Sequence, residues 1–277
     1  MKQWLLISAA AAVLSVGCSK DKTRTLTPED LAGRWAPAEV LIDGRVEPVS
    51  LAEELSYWEF RTNGTYVEYD YYNNRLYEWE YTLADNVLST PDGPTMLRWP
   101  VTGFTGDAFT LTDGSYSTRF RRSTNRPMLF LEPSVQFGAT VAQIKQQERR
   151  ELLNETTTGL GFRGSNAIEQ AAIYILEGGR MTTSGLQLSP ATDPKELANF
   201  LTASYILLGE TEQLLVFRSR DQKYEVILGI NPNGILLVFV PATTGSGSKA
   251  GAFGTEAETI DRGRQRLEAF KRLAGIE

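Results

Sequence analysis

Thr27-Pro28-Glu29-Asp30-Leu31-Ala32-Gly33-Arg34-Trp35 marks the start of the folded part of this chain. A threonine before a proline, followed by two acidic residues, is typical of a helical turn with an N-cap and a proline in its first position. Gly33 follows that turn, and an extended run begins at Arg34. The stretch therefore predicts one short helix that leads directly into the first strand of a sheet.

The residues after this start form a succession of short strands. Leu76-Tyr-Glu-Trp-Glu-Tyr-Thr-Leu83 alternates aromatic or apolar residues with polar ones, which is the period-2 pattern of a half-buried strand. Turn dipeptides recur between such runs: Asn63-Gly64, Asn73-Asn74, Asp85-Asn86 and Asp113-Gly114. We expect about eight strands over residues 27–132, because turns recur roughly every 8 to 12 residues. One aromatic and one charged face favour closure into an antiparallel up-and-down β-barrel.

Gly33-Arg34-Trp35 resembles the Gly-x-Trp motif with which lipocalins open their first strand. Lipocalins also place an arginine from the last strand against that tryptophan, and the resemblance gives this role to Arg119 or Arg121. The Thr62-Asn-Gly-Thr-Tyr66 hairpin is similar to one in the lipocalin-like domains of bacterial lipoproteins. The resemblance covers residues 27–132. It implies a lipocalin-like barrel in which Gly33, Trp35 and the arginine close one end.

Residues 133–242 have a different pattern, in which helices alternate with strands. A polar amphipathic helix is expected over 140–154. A second helix begins at Asp193-Pro194, with aspartate as N-cap and proline in the first position. Three strands are expected after each helix, and a final strand from Ile235 to Val240 after the Asn233-Gly234 turn. This internal repeat predicts an α+β domain whose helices pack on one face of an antiparallel sheet.

The end of the chain combines a linker with a helix. Residues 243–255 are rich in glycine and serine, which predicts a flexible linker. Residues 256–277 are expected to form a C-terminal helix. Its apolar stripe consists of Ile260, Leu267, Phe270 and Leu273. Such a stripe most often docks on its own protein, and the alternative is binding to a separate partner.

Residues 1–17 have the composition of an export signal. Lys2 provides a positive start, an uncharged run follows, and Gly17 precedes Cys18, which is the single cysteine of the chain. Ser15-Val16-Gly17-Cys18 resembles a bacterial lipobox, with serine where leucine is commonest. The resemblance implies a lipoprotein signal peptide over 1–17 and acyl chains such as palmitate on Cys18. An ordinary signal peptide or a short membrane anchor is the alternative.

The resemblance to lipoproteins also implies where the protein works. Residues 18–26 would be a lipidated tether, since they are mostly polar and charged. Ser19 directly after the cysteine implies delivery to the outer membrane of a Gram-negative cell envelope. Either the periplasmic or the surface face of that membrane fits the sequence.

The composition excludes several kinds of chemistry. The chain contains no histidine, which removes Ser-His-Asp and Cys-His catalysis and His-bearing zinc sites. Because Cys18 is the single cysteine, thiol catalysis and an intramolecular disulfide are excluded too. The formal charge of −6 gives no reason to expect nucleic acid as a partner. We expect no cofactor, no bound metal and no catalysis.

Carboxylates are the remaining candidates for chemistry. Five of them lie among aromatic residues: Glu59, Glu68, Asp70, Glu78 and Glu80. A glycosidase needs two carboxylates that flank a sugar. The alternation places Glu68 and Asp70 together on one face of their strand and Tyr69 on the other, which is typical of carboxylates that face water.

Aromatic residues are the stronger candidates for binding. Six are predicted to line the barrel interior and to contact a ligand there: Trp35, Trp58, Tyr69, Trp79, Tyr81 and Trp99. An eight-stranded barrel either fills with its own side chains or holds one small ligand, and the sequence leaves both open. A tyrosine-rich rim that binds a peptide or a sugar is a further alternative, formed by Tyr57, Tyr66, Tyr71 and Tyr72.

The sequence therefore predicts a non-catalytic, membrane-anchored envelope lipoprotein. Its expected role is binding of a small apolar or aromatic ligand, or of another envelope component. One alternative is a protein-interaction or scaffold module with a filled barrel. The other is a carboxylate-dependent hydrolase.

Overall fold

A computed structural model describes residues 24–231, 234–242 and 255–276. These ranges form two antiparallel sheets and five helices. The predicted fold class is confirmed: the chain is mainly β, with a nearly closed barrel sheet followed by an α+β unit. The predicted signal peptide, Cys18 and nearly all of the predicted linker lie outside the described residues.

The N-terminal unit consists of α1 (Pro28–Leu31), α2 (Leu51–Leu55) and one sheet of ten strands. The strands are β1 (Gly33–Ile42), β2 (Arg45–Glu47), β3 (Tyr57–Phe60), β4 (Thr65–Asp70), β5 (Arg75–Glu80), β6 (Thr82–Ala84), β7 (Val87–Asp92), β8 (Thr95–Thr102), β9 (Ala108–Asp113) and β10 (Tyr116–Arg122). The two short strands β2 and β6, three residues each, account for the excess over the predicted eight.

Strand pairing makes this sheet an up-and-down meander rolled into a barrel. The order is β5-β4-β3-β1-β10-β9-β8-β7-β6, and β2 forms a hairpin with β1. The first strand β1 lies between β3 and the last strand β10, with which it pairs from Trp35 opposite Arg122 to Ile42 opposite Tyr116. Among the described strands, β5 and β6 are the two ends of this sheet. Only Tyr81 separates them in the chain, and the Thr90 hydroxyl of β7 donates to the Glu80 carbonyl at 2.8 Å, so the barrel is nearly closed.

One end of the barrel is closed around Trp35, which is fully buried. Its indole N–H donates a hydrogen bond to the carbonyl of Leu31 at 2.6 Å. The Arg122 guanidinium lies 3.9 Å from the centroid of the Trp35 ring. Arg122 also donates to the carbonyl oxygens of Ala32, Asp30 and Gly106. One side chain from the last strand thus connects α1, the start of β1 and the loop before β9.

The arginine that closes the barrel is Arg122, and the prediction of Arg119 or Arg121 is wrong. Both of those residues lie on the outer face, where they form ion pairs with Glu39 at 3.4 and 3.3 Å. Side chains alternate between the two faces of a strand, so Arg122 shares the inner face with Phe120. Arg119 and Arg121 share the opposite face.

Gly33 is required where Arg122 crosses the start of β1. Its φ angle is +113°, in the region that residues with a side chain rarely adopt. A Cβ atom at this position would lie 2.5 Å from the Nη1 atom of Arg122. The glycine of the Gly-x-Trp motif therefore makes room for the arginine that covers the tryptophan.

The C-terminal unit repeats one helix and four strands. Its elements are α3 (Val141–Gln147), β11 (Leu152–Glu155), β12 (Gly159–Arg163), β13 (Glu169–Glu177), β14 (Arg180–Leu188), α4 (Pro194–Ser204), β15 (Tyr205–Glu210), β16 (Leu214–Ser219), β17 (Tyr224–Asn231), β18 (Gly234–Pro241) and α5 (Glu256–Ala274). The sheet order is β11-β12-β13-β14-β18-β17-β16-β15. The two halves therefore meet at their last strands, β14 and β18, in a two-fold-like arrangement.

The helices α3 and α4 are each followed by four strands. The final strand over 235–240 is confirmed as β18, and the prediction of three strands after the first helix is wrong because that helix is shorter than expected. It ends at Gln147, and Glu148 adopts an extended conformation. The Glu148 carboxylate accepts hydrogen bonds from Arg150 at 2.9 Å and from the Tyr174 hydroxyl. Because Glu148 binds Arg150 and Tyr174 in this extended conformation, the helix ends before it and residues 152–155 form β11. The second helix begins at Pro194 as predicted, with Asp193 accepting from the Lys195 N–H at 2.8 Å.

Helices cover both faces of the second sheet. Ile144 of α3 and Leu197 and Leu201 of α4 are buried in the core on one face. On the other face α5 buries Leu267 and Phe270, and Leu273 remains 51% exposed. The C-terminal helix therefore docks on its own protein. None of the described helices is both long and apolar enough to cross a membrane.

Replacing Arg122 with alanine is expected to destabilise the barrel by about 1–3 kcal/mol, because hydrogen bonds from a charged donor and a cation–π contact are lost together. Urea unfolding followed by tryptophan fluorescence measures this effect. Trp35, Trp58, Trp79 and Trp99 all lie in the barrel, and residues 133–277 contain no tryptophan.

Arg121→Ala is the matched control for this substitution. Its side chain is 59% exposed, and loss of an exposed ion pair costs about 0–1 kcal/mol. Equal unfolding curves for the two variants would contradict the assignment of Arg122 as the residue that closes the barrel.

Candidate functional site

A cavity of about 440 Å³ opens at the end of the barrel opposite Arg122. Tyr116, the first residue of β10, lines it, whereas Arg122 is the last residue of that strand. Glu53 of α2 also lines the cavity. Ligand pockets have volumes of roughly 300–1,000 Å³, so the space is suited to one small organic molecule.

The closed half of the barrel is filled by its own aromatic side chains. The ring centroids of Trp35 and Phe109 are 4.7 Å apart, and those of Phe109 and Phe120 are 5.2 Å apart. Phe60 and Tyr66 are buried in the same cluster. The sequence left open whether side chains fill the barrel or whether it holds a small ligand. The interior is filled by aromatic side chains at the closed end, and the cavity lies at the other end.

Aromatic residues also form one wall of the cavity. The ring centroid of Trp58 lies 5.1 Å from that of Phe120 and 6.1 Å from that of Trp99. Trp58 and Trp99 are partly exposed, and all three residues line the cavity. Flat aromatic surfaces at the edge of a cavity can stack on the apolar part of a ligand.

Four carboxylates line the same cavity: Glu53, Glu68, Asp70 and Asp113. The prediction that Glu68 and Asp70 face water on the outer wall is therefore wrong. Trp58 and Glu68 are directly opposite each other on β3 and β4, which places both side chains on the inner face. Glu68 and Asp70 are partly buried there, and Glu53 and Asp113 are exposed at the mouth.

Glu68 and Asp70 face the interior because the outer face of β4 is buried as well. Tyr69 lies outside the barrel and is 1% exposed. Its hydroxyl donates to the carbonyl of Met128 at 2.8 Å, in the segment that leads to the second unit. Tyr71 is also fully buried, and its hydroxyl is 2.7 Å from that of Ser165. With aromatic residues required on the outer face, the carboxylates of β4 point inward.

Burial raises the pKa of Glu68, since the charged form is poorly solvated in the cavity wall. The side chains of Trp79 and Trp58 oppose this rise. Asp70 is held by Asn73, whose side-chain amide donates to it at 2.6 Å. Glu53 accepts from the hydroxyl of Ser50 at 2.7 Å.

The six aromatic residues predicted to contact a ligand lie in different places. Trp58 and Trp99 line the cavity. Trp35 and Tyr81 are buried at the filled end, where the Tyr81 hydroxyl donates to the carbonyl of Arg61 at 2.9 Å. Tyr69 lies outside the barrel, and Trp79 is on the edge strand β5 with 40% of its surface exposed.

The predicted tyrosine rim is wrong, because three of its four members are buried. Tyr57 and Tyr69 pack together outside the barrel, with ring centroids 5.3 Å apart. Tyr66 is in the filled interior, and only Tyr72 of the four is exposed. The tyrosine at the mouth is Tyr116, which the sequence analysis missed. Its position directly after the Asp113-Gly114 turn was the available signal.

A buried ionic network outside the barrel is a second polar cluster that the sequence did not reveal. The side chains of Arg150, Glu148 and Glu169 are 1%, 2% and 0% exposed. The Ser165 hydroxyl donates to Glu169 at 2.8 Å and contacts Tyr71 of the barrel unit. Because the carboxylates and the guanidinium have partners on all sides, this network joins the two units and leaves no free group for a ligand.

Metal binding has no support in the described ranges, where no cluster of three or more Asp, Glu or Cys side chains has the spacing to hold a metal ion. The candidate site is therefore the aromatic and acidic cavity at the open end of the barrel. Its groups can stack on a ligand, accept hydrogen bonds and attract positive charge.

No protein-family model and no curated protein matches this chain. Similar solved structures include a lipocalin-like protein from Bacteroides uniformis, with 17% identity and a TM-score of 0.29. An uncharacterized protein from Bacteroides eggerthii has 18% identity and a TM-score of 0.28. Each match covers 34% of this chain and 99% of the other. At this level of similarity neither structure assigns a ligand or an activity to this protein.

Glu68→Gln is expected to stabilise the protein at pH 7. The folded-state pKa of Glu68 is raised above the value of 4.5 expected when unfolded, so the folded state holds the proton more tightly. Stability therefore falls as pH rises from about 4.5 through the folded pKa, and glutamine removes this loss. The difference between variant and wild type should vanish below about pH 4, where the carboxyl is protonated in both states.

Urea unfolding at pH 4 and pH 7, followed by tryptophan fluorescence, measures this difference. Glu80→Gln, at an exposed position on β5, is the control and should show no such dependence. A Glu68→Gln variant that is less stable than wild type at pH 7 would show that the cavity wall does not destabilise the carboxylate.

Proposed function

We propose that this protein is a non-catalytic binding protein of the cell envelope. Lipid on Cys18 holds it to a membrane, and the open end of its barrel binds one small ligand with an aromatic or apolar part. The cavity of about 440 Å³ beside Trp58, Trp99 and Phe120 is the observation that carries this proposal.

The cavity supports binding because protein side chains cover its apolar wall only in part. Trp58 and Trp99 keep part of their surface accessible although they pack against the core. Removing apolar surface from water contributes about 25 cal/mol per Å², so a small ring stacked on these indoles would be stabilised. The scaffold alternative assumed a filled barrel, and the interior is filled only at its closed end.

The N-terminal segment supports an orientation with the cavity facing away from the membrane. The Leu26 N–H donates to the Asn86 side chain at 2.7 Å, and that side chain donates to the Arg24 carbonyl at 3.0 Å. These contacts fix residues 24–26 beside β7, where residues 103–106 of the closed end are nearby. Cys18 is six positions before Arg24, and a chain of that length spans at most about 21 Å. A lipid on Cys18 would thus lie near the closed end.

A carboxylate-dependent hydrolase is the second candidate, because Glu68 and Asp70 share the cavity wall. Residues two apart on one strand face are separated by roughly 7 Å, and inverting glycosidases place their carboxyl groups about 6.5–9.5 Å apart. Release of the aglycone from aryl glycosides by the wild type, abolished in Glu68→Gln, would establish this activity. Absence of turnover together with ligand binding would exclude it.

Filling the cavity should abolish ligand binding without unfolding the barrel. Thr118 lines the cavity, and Thr118→Phe would occupy part of the space in which a ligand ring sits. We expect a neutral aromatic probe such as N-phenyl-1-naphthylamine to bind the wild type saturably and the variant at least tenfold more weakly, a difference of about 1.4 kcal/mol. Probe fluorescence gives the dissociation constant.

Ser117→Phe is the matched control, since Ser117 is the neighbouring residue on β10 and faces outward, where it contacts Thr112. It should retain wild-type binding. Loss of probe binding in both variants, or in neither, would contradict a binding site inside the barrel.

Cys18→Ser is expected to prevent acylation and to release the protein from membranes. The thiol is the group to which lipid would be attached, and one chain alone gives only marginal membrane binding while two or three anchor stably. Metabolic labelling with an alkyne fatty acid, followed by membrane fractionation, measures both effects. Ser19→Ala should keep the label. Labelling of the Cys18→Ser variant would refute the anchor.

A further inference from the structure

The cavity at the open end combines an aromatic wall with four carboxylates. Arg75 is opposite Asp70 in the pairing of β4 and β5 but does not line the cavity. The cavity lining includes Glu53, Glu68, Asp70 and Asp113, and within the described part of the chain it includes no lysine or arginine. Among the described ion pairs, none involves these four carboxylates. The charge inside the barrel therefore remains available to a ligand.

The outer face of the same barrel shows the opposite arrangement. Glu39 pairs with Arg119 and Arg121, at 3.4 and 3.3 Å. Glu78 pairs with Arg61 at 2.8 Å, and Glu59 pairs with Arg34. Glu39, Glu59 and Glu78 thus have arginine partners, whereas no described ion pair involves a carboxylate that lines the cavity.

Neutral groups hold two of the cavity carboxylates in place. Ser50 donates to Glu53 from both its backbone N–H and its hydroxyl, at 2.8 and 2.7 Å. Asn73 donates to Asp70 from its backbone N–H and its side-chain amide, at 3.2 and 2.6 Å. These donors orient the carboxylates and leave their charge uncancelled.

Glu68 lies in the wall itself, opposite Trp58 in the pairing of β3 and β4. Trp58 in turn packs near Trp99 and Phe120. The side chains of Trp58 and Trp79 hydrogen-bond to the Glu68 carboxylate and hold it in the cavity wall. A carboxylate attracts an ammonium group, and the faces of nearby aromatic rings attract it as well through the ring quadrupole. Such a cation would also offset the desolvation that raises the pKa of Glu68.

We propose that the ligand is a small organic cation, with an ammonium group beside Glu68 and Trp58 and an aromatic or apolar body in the cavity. This inference rests on the proposed function and names the class of ligand. The cavity and its aromatic wall form the binding site, and the carboxylates select the charge of what enters. Anionic ligands, including carboxylates, would be repelled.

Three probes of one size and different charge test the inference: 1-naphthylmethylamine, which is a cation at pH 7, 1-naphthylmethanol and 1-naphthoate. Isothermal titration of the full chain gives each dissociation constant. We expect the cation to bind at least tenfold more tightly than the alcohol, and the anion most weakly. Raising the salt concentration from 50 to 500 mM should weaken binding of the cation and leave the alcohol unchanged, because salt screens charge.

Substitutions of single carboxylates identify the group that causes the preference for a cation. Glu68→Gln should reduce the preference for the cation over the alcohol several-fold, measured as the ratio of the two dissociation constants of the same variant. Glu80→Gln, which replaces an exposed carboxylate on β5, should leave the preference unchanged. A preference that survives Glu68→Gln intact would overturn the placement of the ammonium group beside Glu68.

The probe titrations distinguish a cavity that binds cations from one that binds ligands regardless of charge. If the cation and the alcohol bind equally, and Thr118→Phe weakens both, the cavity binds ligands but the inference of a cation is overturned. Tightest binding of 1-naphthoate also overturns it. If none of the three probes nor the neutral aromatic probe binds the wild type, both the inference and the proposed function fail.

Discussion

The Arg122 guanidinium over the ring of Trp35 is the interaction on which the barrel depends. It ties the end of the last strand to the start of the first, and its hydrogen bonds to Ala32, Asp30 and Gly106 fix the segments around that end. Gly33 is necessary because any side chain there would collide with the guanidinium. Aromatic rings pack the interior at this end, and the cavity lined by Trp58, Trp99 and Phe120 lies at the other end.

The second constraint on the cavity comes from outside the barrel. Tyr69 and Tyr71 of the β4 region are buried against the segment and the unit that follow the barrel. The buried network of Arg150, Glu148 and Glu169 holds that unit in place. Since the outer face of β4 takes the tyrosines, its carboxylates line the interior. The chemistry of the site thus follows from the packing of the second unit.

Local sequence signals predicted the elements whose stability is local. The Asp193-Pro194 pair predicted the start of α4, and the alternation over 76–83 predicted a strand where β5 lies. They failed where a distant partner decides the structure. The helix expected over 140–154 ends at Gln147 because Glu148 binds Arg150 and Tyr174. The helical periodicity of residues 140–154 gives no information about the contact of Glu148 with Tyr174, which is distant in the chain.

The sequence by itself determined the mainly β class, the order of its units and the exclusion of histidine and thiol chemistry. It also predicted an export signal ending at Cys18, which lies outside the described residues. Only the tertiary structure decided that Arg122 closes the barrel and that Glu68 faces the cavity while Tyr69 faces outward. The physical reason is that alternation along a strand defines two faces. Which face is the inner one depends on what packs against each, and those partners are distant in the chain.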